Sequence, residues 1–170
     1  MARRKYSFWF MPGGAVEQKF SQLIVQLAQR YASPVFPPHI TLLGSIEAHE
    51  QEIVRQAQDL ASLIHSFSVQ LTNVAFTPAY YQALFVKVDP SAEIVAAYQQ
   101  VSKLFPANQQ TAYMPHLSLL YGDLSIAIKQ KIIEEIGEHF ADRFEVDTLH
   151  LYLTEGAASD WQSIRVLPLR

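Results

Sequence analysis

The 170-residue sequence predicts an α+β fold built from a duplicated strand–helix–strand–helix–strand unit. Three observations carry this. Segments with helical and strand periodicity follow one another in the same order twice. The hexapeptide Pro38-His39-Ile40-Thr41-Leu42-Leu43 returns as Pro115-His116-Leu117-Ser118-Leu119-Leu120, identical at four of six positions and like for like at the other two. The composition, 49% hydrophobic and 17% charged, is that of a globular chain long enough to bury a core in one domain. One unit is too short to cover both faces of its sheet. Two copies, at about residues 1–78 and 79–170, are therefore expected to pack as one molecule with two pseudo-twofold related sheets.

Tyr6 to Met11 is aromatic-rich and stops at Pro12-Gly13-Gly14, which reads as a strand and turn. Val16, Phe20, Leu23, Ile24, Leu27, Ala28 and Tyr31 then mark one face of a helix. Three prolines between Ser33 and Pro38 force an extended connection into a strand from His39 to Ser45. Ile53, Val54, Ala57, Leu60, Ala61 and Ile64 form a second helical stripe, and Phe67 to Phe76 alternates apolar and polar as a half-buried strand does. The order recurs with a strand at Ala83–Val88, a helix at Ile94–Phe105 and a strand at His116–Tyr121. A helix over about Ser125–Phe140 and strands near Phe144–Leu153 and Trp161–Leu169 complete the chain. Outside the hexapeptides, Phe8 meets Phe85, Ile24 meets Val101 and Leu27 meets Leu104 at the same 77-residue offset.

Composition closes several routes. With no cysteine, disulfides, thiolate metal sites and a cysteine nucleophile are excluded. Thirteen Lys and Arg against sixteen Asp and Glu give a charge of −3, which is no footprint for gripping long nucleic acid. Arg3-Arg4-Lys5 imitates the start of a signal peptide, but the apolar run behind it is too short and ends in Pro-Gly-Gly. No apolar stretch approaches the roughly 18 residues of a membrane span, so a cytoplasmic location is expected.

Each hexapeptide presents His-x-Thr/Ser on a strand. Alternation puts His39 and Thr41 on one face, and likewise His116 and Ser118, with Ile40, Leu42, Leu117 and Leu119 on the other. Under the pseudo-twofold the two polar faces converge on one cleft. Two imidazoles and two hydroxyls without a carboxylate suit phosphodiester cleavage. One neutral imidazole takes a proton from attacking water, and one imidazolium protonates the departing oxygen. A histidine pKa near 6.5 serves both tasks. The hydroxyls can hold the non-bridging oxygens, whose charge grows in the transition state. Threonine and serine are poor zinc ligands, and no metal or other cofactor is expected.

A lone His-x-Thr on a strand carries little weight. Two copies with matching flanks carry much more, because a duplicated core preserves apolar residues and gives no reason to keep paired polar ones. His49, His65 and His139 fall near helix ends, where exposure or the helix dipole accounts for them, and His150 has no partner motif. Trp9, Tyr113 and Tyr121 serve either core packing or a wall for a base or ribose. No Gly-x-Ser-x-Gly elbow surrounds Ser118, which removes a serine hydrolase.

The paired motifs resemble the 2H phosphoesterase superfamily, and within it the cyclic phosphodiesterase family of plants and yeast. Tyr6-Ser7-Phe8-Trp9 resembles that family's opening strand, and Tyr113-Met114-Pro115-His116-Leu117-Ser118-Leu119-Leu120-Tyr121 its second motif. The resemblance spans almost the whole chain. It implies a bilobal fold of two antiparallel sheets lining a central cleft, with the helices outside. It also implies metal-independent opening of 2′,3′-cyclic nucleotides or of ADP-ribose 1″,2″-cyclic phosphate to the phosphomonoester. Carried over by motif, His39 and His116 are the acid–base pair, Thr41 and Ser118 bind the phosphate, and Tyr121 and Trp9 lie near the substrate. Some plant members carry cysteines in a loop near the cleft; this chain has none. The expected partner is a small cyclic phosphate nucleotide, with no long nucleic acid and no membrane, and the protein is expected to act as a monomer. An RNA-end cyclic phosphodiesterase or 2′-5′ ligase, and a non-catalytic nucleotide-binding module, are the alternatives.

Overall fold

A computed structural model describes residues 2–170. The strands are β1 (Arg4–Phe10), β2 (Ile40–Ala48), β3 (Phe67–Ala75), β4 (Leu84–Val88), β5 (His116–Leu120), β6 (Arg143–Val146), β7 (Thr148–Leu153) and β8 (Gln162–Pro168). The helices are α1 (Gly14–Tyr31), α2 (Glu50–Leu63), α3 (Ala92–Leu104) and α4 (Ile126–Ile136). Each helix follows a strand in the predicted order. Ser91 and Ser125 cap α3 and α4 by accepting hydrogen bonds from the Ile94 and Ile128 amides. Among the described residues, no helix is long and apolar enough to cross a membrane.

The strands lie in the order β6-β3-β4-β5-β2-β1-β7-β8, with every neighbouring pair antiparallel. Two four-stranded halves meet where Ile40 of β2 pairs with Leu117 of β5. This is the expected pseudo-twofold arrangement, since reversing the order exchanges β5 with β2, β4 with β1 and β3 with β7. The repeats interleave in space. β3 comes from the first and sits beside β4 of the second, whereas β7 comes from the second and sits beside β1 of the first. The helices follow suit, α1 packing on β5 and α3 on β2. Tyr6, Phe8 and Phe10, on one face of β1, are fully buried with the inward faces of the helices in a common core.

Two predicted boundaries move. The helix expected to run to about Phe140 ends at Ile136, because Gly137 takes a positive φ of 100° and donates its N–H to the Ile133 carbonyl. The chain beyond it then pairs with β3, through an Asn73–His139 bridge and a Phe140 amide bond to the Thr72 carbonyl. The strand expected over Phe144–Leu153 divides at Asp147. Its first part pairs with β3 and its second with β1 and β8, so the chain changes halves at that residue.

Candidate active site

The Ile40–Leu117 pair determines how the two motifs meet. In an antiparallel ladder, residues stepping away from a pair in opposite directions stand across from each other. One step either way therefore sets His39 against Ser118 and Thr41 against His116. Each histidine faces the hydroxyl residue of the other repeat. Ile40 and Leu117, pointing the other way, are fully buried in the core. The four polar side chains share one face and line one cleft of about 440 Å³, together with Trp9 and Tyr121. All six residues expected at a site are thus in one place.

The two imidazoles are held alike. His39 Nδ1 lies 2.7 Å from the Pro37 carbonyl oxygen, and His116 Nδ1 lies 2.8 Å from that of Met114. A carbonyl only accepts, so each Nδ1 carries the proton and donates it. That leaves Nε2 as the nitrogen free to exchange a proton in the cleft. The prolines after Val35 and Phe36 and before His116 favour the extended backbone that brings each carbonyl beneath its ring. Burial depresses the pKa of both. His39 is pushed down to about 4, chiefly by desolvation, with His116 adding to the effect and the bond to Pro37 opposing it. His116 is lowered for the same main reason. This differs from the unperturbed value expected from sequence: burial favours the neutral form of both rings, and an anion between them would favour protonation.

Trp9 is almost wholly buried. Its indole stacks on His39 at 3.6 Å between centroids and 14° between planes, and on Tyr152 at 3.9 Å and 21°. It fixes the plane of the His39 ring more than it offers an open surface. Tyr121 stacks on Phe36 at 3.9 Å. Burial raises its phenol pKa well above the usual range, while the nearby Ser118 hydroxyl works in the opposite direction. Tyr113 stacks on Tyr98 at 4.1 Å and donates to the Thr41 carbonyl at 3.1 Å. It ties the approach to the second motif onto the strand of the first. His49, His65, His139 and His150 lie outside the cleft lining. His139 bonds Asn73, and His150 bonds Thr148.

Several lining residues escaped the sequence reading. Tyr81, in a short helical turn, and Trp161, directly after another, face Tyr121 edge-on at 5.1 and 6.1 Å between centroids. Tyr81 stands in no motif or periodic segment, and Trp161 reads only as the start of the last strand, so no local signal places either in a cleft. Lys5 and Gln82 also line the cleft, and they stand at the 77-residue offset that relates the motifs. The repeat could have revealed that pair.

The sequence model of the 2′-5′ RNA ligase superfamily matches residues 17–158. The chain belongs to that superfamily, whose members are 2H phosphoesterases. Within the superfamily it is 26% identical over 130 residues to a cyclic phosphodiesterase of Arabidopsis thaliana, covering 76% of this chain and 72% of that protein. Its fold is similar to the crystal structure of TT0787 of Thermus thermophilus, with a TM-score of 0.72, 16% identity and 98% of each chain covered. It is also similar to apo LigT of E. coli, with a TM-score of 0.69, 16% identity and 99% of each chain covered. LigT has further been crystallised with 3′-AMP and with ATP. The resemblance drawn from the paired motifs and the α+β fold it implied are therefore both borne out.

Proposed function

We propose that the protein is a cyclic phosphodiesterase acting on 2′,3′-cyclic nucleotides or ADP-ribose 1″,2″-cyclic phosphate, with His39 and His116 as its acid–base pair. The observation that carries this is the Ile40–Leu117 register, which sets each motif histidine across from the other motif's hydroxyl on the floor of one cleft. The similarity to a cyclic phosphodiesterase supports the same reading.

The cyclic phosphate sits between the imidazoles, with the Thr41 and Ser118 hydroxyls donating to its non-bridging oxygens. Water attacks phosphorus in line. One Nε2 accepts the water's proton as the new P–O bond forms. The other imidazolium delivers its proton to the ring oxygen as the opposite P–O bond breaks, giving a phosphomonoester and a free hydroxyl. The second proton arrives with the bound anion, whose charge offsets the burial that keeps the free rings neutral. Tyr81 and Trp161, packed around the buried Tyr121, offer faces and edges to a base or ribose.

The test is turnover of 2′,3′-cyclic AMP in excess EDTA with the product isomers separated. Formation of 2′-AMP that vanishes in a His39→Ala/His116→Ala double variant supports the reading. Saturable binding without turnover would replace it with a nucleotide-binding role. Much tighter, steeply salt-dependent binding of oligonucleotides would favour an RNA-end substrate instead.

A further inference from the structure

The cleft extends away from the motif residues along β1. Alternate strand residues share a face, so Lys5, Ser7 and Trp9 form one row, and all three line the cleft. Trp9 carries the stacked His39 ring at one end of this row. At about 3.3 Å per residue, the Lys5 Cα lies roughly 13 Å further along the strand. Between them the floor is low. The Ser7 hydroxyl is hydrogen-bonded to that of Thr154 at 2.9 Å, and a Cβ on Gly44 would come within 3.2 Å of Ser7 Oγ.

Lys5 is the only lysine or arginine among the described lining residues, and no carboxylate stands among them. Its neighbours are committed elsewhere: Arg4 pairs with Glu155 at 2.9 Å, and Arg3 donates to the Glu47 carbonyl at 2.6 Å. Lys5 is exposed, and among the described residues it makes no ion pair and no side-chain hydrogen bond, although Glu47 stands across from it in the β1–β2 register. Its flexible four-carbon stem lets the ammonium swing back along the groove toward the motif histidines.

We propose that Lys5 is a specificity residue that binds a second phosphate-type anion on the substrate, one sugar unit away from the phosphate held between His39 and His116. The inference rests on the reading of this cleft as a phosphodiesterase site. It narrows the substrate class to cyclic phosphates that carry a further phosphate or diphosphate on the same small molecule. An ammonium that can reach a phosphate dianion, at the rim of a groove with no carboxylate in its lining, discriminates such substrates from those ending in a bare hydroxyl.

Calorimetric titration of adenosine 2′-phosphate and adenosine 2′,5′-bisphosphate into the wild-type protein, Lys5→Ala and Lys5→Arg tests this without requiring turnover. The bisphosphate should bind the wild type about fivefold more tightly, with the preference shrinking as salt rises. Lys5→Ala should bring the ratio close to one, and Lys5→Arg should keep it. Equal binding of both ligands by the wild type, or a preference that survives Lys5→Ala, overturns the proposal. Wild-type turnover of 2′,3′-cyclic AMP and of its 5′-phosphorylated form, measured on the same preparations, separates the two readings. A Lys5-dependent preference with turnover of neither compound would sink the enzymatic reading, and turnover without the preference would sink this one alone.

Discussion

Tyr113 donates its phenolic hydrogen to the Thr41 carbonyl at 3.1 Å, joining the chain that leads into one repeat's motif to the backbone of the other's. Its ring is stacked almost parallel on Tyr98, with 1° between planes. The distance between the motifs is therefore held by more than the Ile40–Leu117 pair. Tyr113→Phe should keep the stack and lose the bond, lowering stability by about 1 kcal/mol. It should lower kcat about fivefold with little change in KM, which steady-state kinetics and urea titration together would reveal. An unchanged kcat would confine Tyr113 to packing.

Single replacement of His39 or His116 by alanine should each reduce kcat by about 10²–10⁴-fold. Circular dichroism would confirm an intact fold. A variant of either histidine that turns over normally would remove that residue from the proton transfers.

Thr41→Ala and Ser118→Ala should each cost about 2–4 kcal/mol of transition-state stabilisation, read as a fall in kcat/KM. Because each hydroxyl stands across from the opposite histidine, the double variant should lose less than the sum of the singles. Strict additivity would argue that the two hydroxyls do not hold one phosphate.

Stability should depend on pH through His39. Its folded pKa of about 4 lies below the ordinary value of 6.5, so between these pH values the unfolded chain binds more protons than the folded one. The contribution is complete above about pH 6.5 and is lost as pH falls through about 4. For a ring this buried it is on the order of 3 kcal/mol. Urea titrations from pH 7 to pH 4 should show the fall, and His39→Gln should flatten it. An equal slope in that variant would place the acid sensitivity elsewhere.

Lys129 is almost wholly buried, and its ammonium donates to the Thr77 carbonyl at 2.8 Å. The Thr77 amide and hydroxyl both bond the Gln82 carbonyl, closing the turn that carries Tyr81 and Gln82 into the cleft. Lys129→Met should cost about 1–3 kcal/mol by stranding that carbonyl. Hydrogen exchange of amides 77–82 should quicken more than exchange in β4. Uniform change across the chain would show a general destabilisation instead.

Periodicity and punctuation made most of this molecule legible. The stripe from Val16 to Tyr31 became α1, and the alternation from Phe67 onward became β3. Both signals are local, as are the two His-x-Thr/Ser motifs. What failed was decided by distant partners. The strand across Asp147 divides because its two parts serve opposite halves of the sheet, and no short window of sequence records that. Gly137, followed by the polar Glu138 and His139, did mark the end of α4 within the sequence. Trp161 and Tyr81 come to the cleft on short turns, whose position depends on the assembled sheet. The depressed histidine pKa values were equally hidden, since burial belongs to the fold and not to the residue type.

The interleaving of the repeats also sets the order in which the cleft can come into being. β1 takes one of its two neighbours, β7, from the far end of the chain, with Tyr6 opposite Leu153. On the ribosome, β1 and β2 can pair early, but one edge of β1 stays open until residues 148–153 have emerged. Trp9 meets Tyr152 only then. The support behind His39 is therefore among the last parts of the molecule to be made. Until that point the nascent chain displays an unpaired strand edge, the kind of surface that chaperones shield and that other chains can capture.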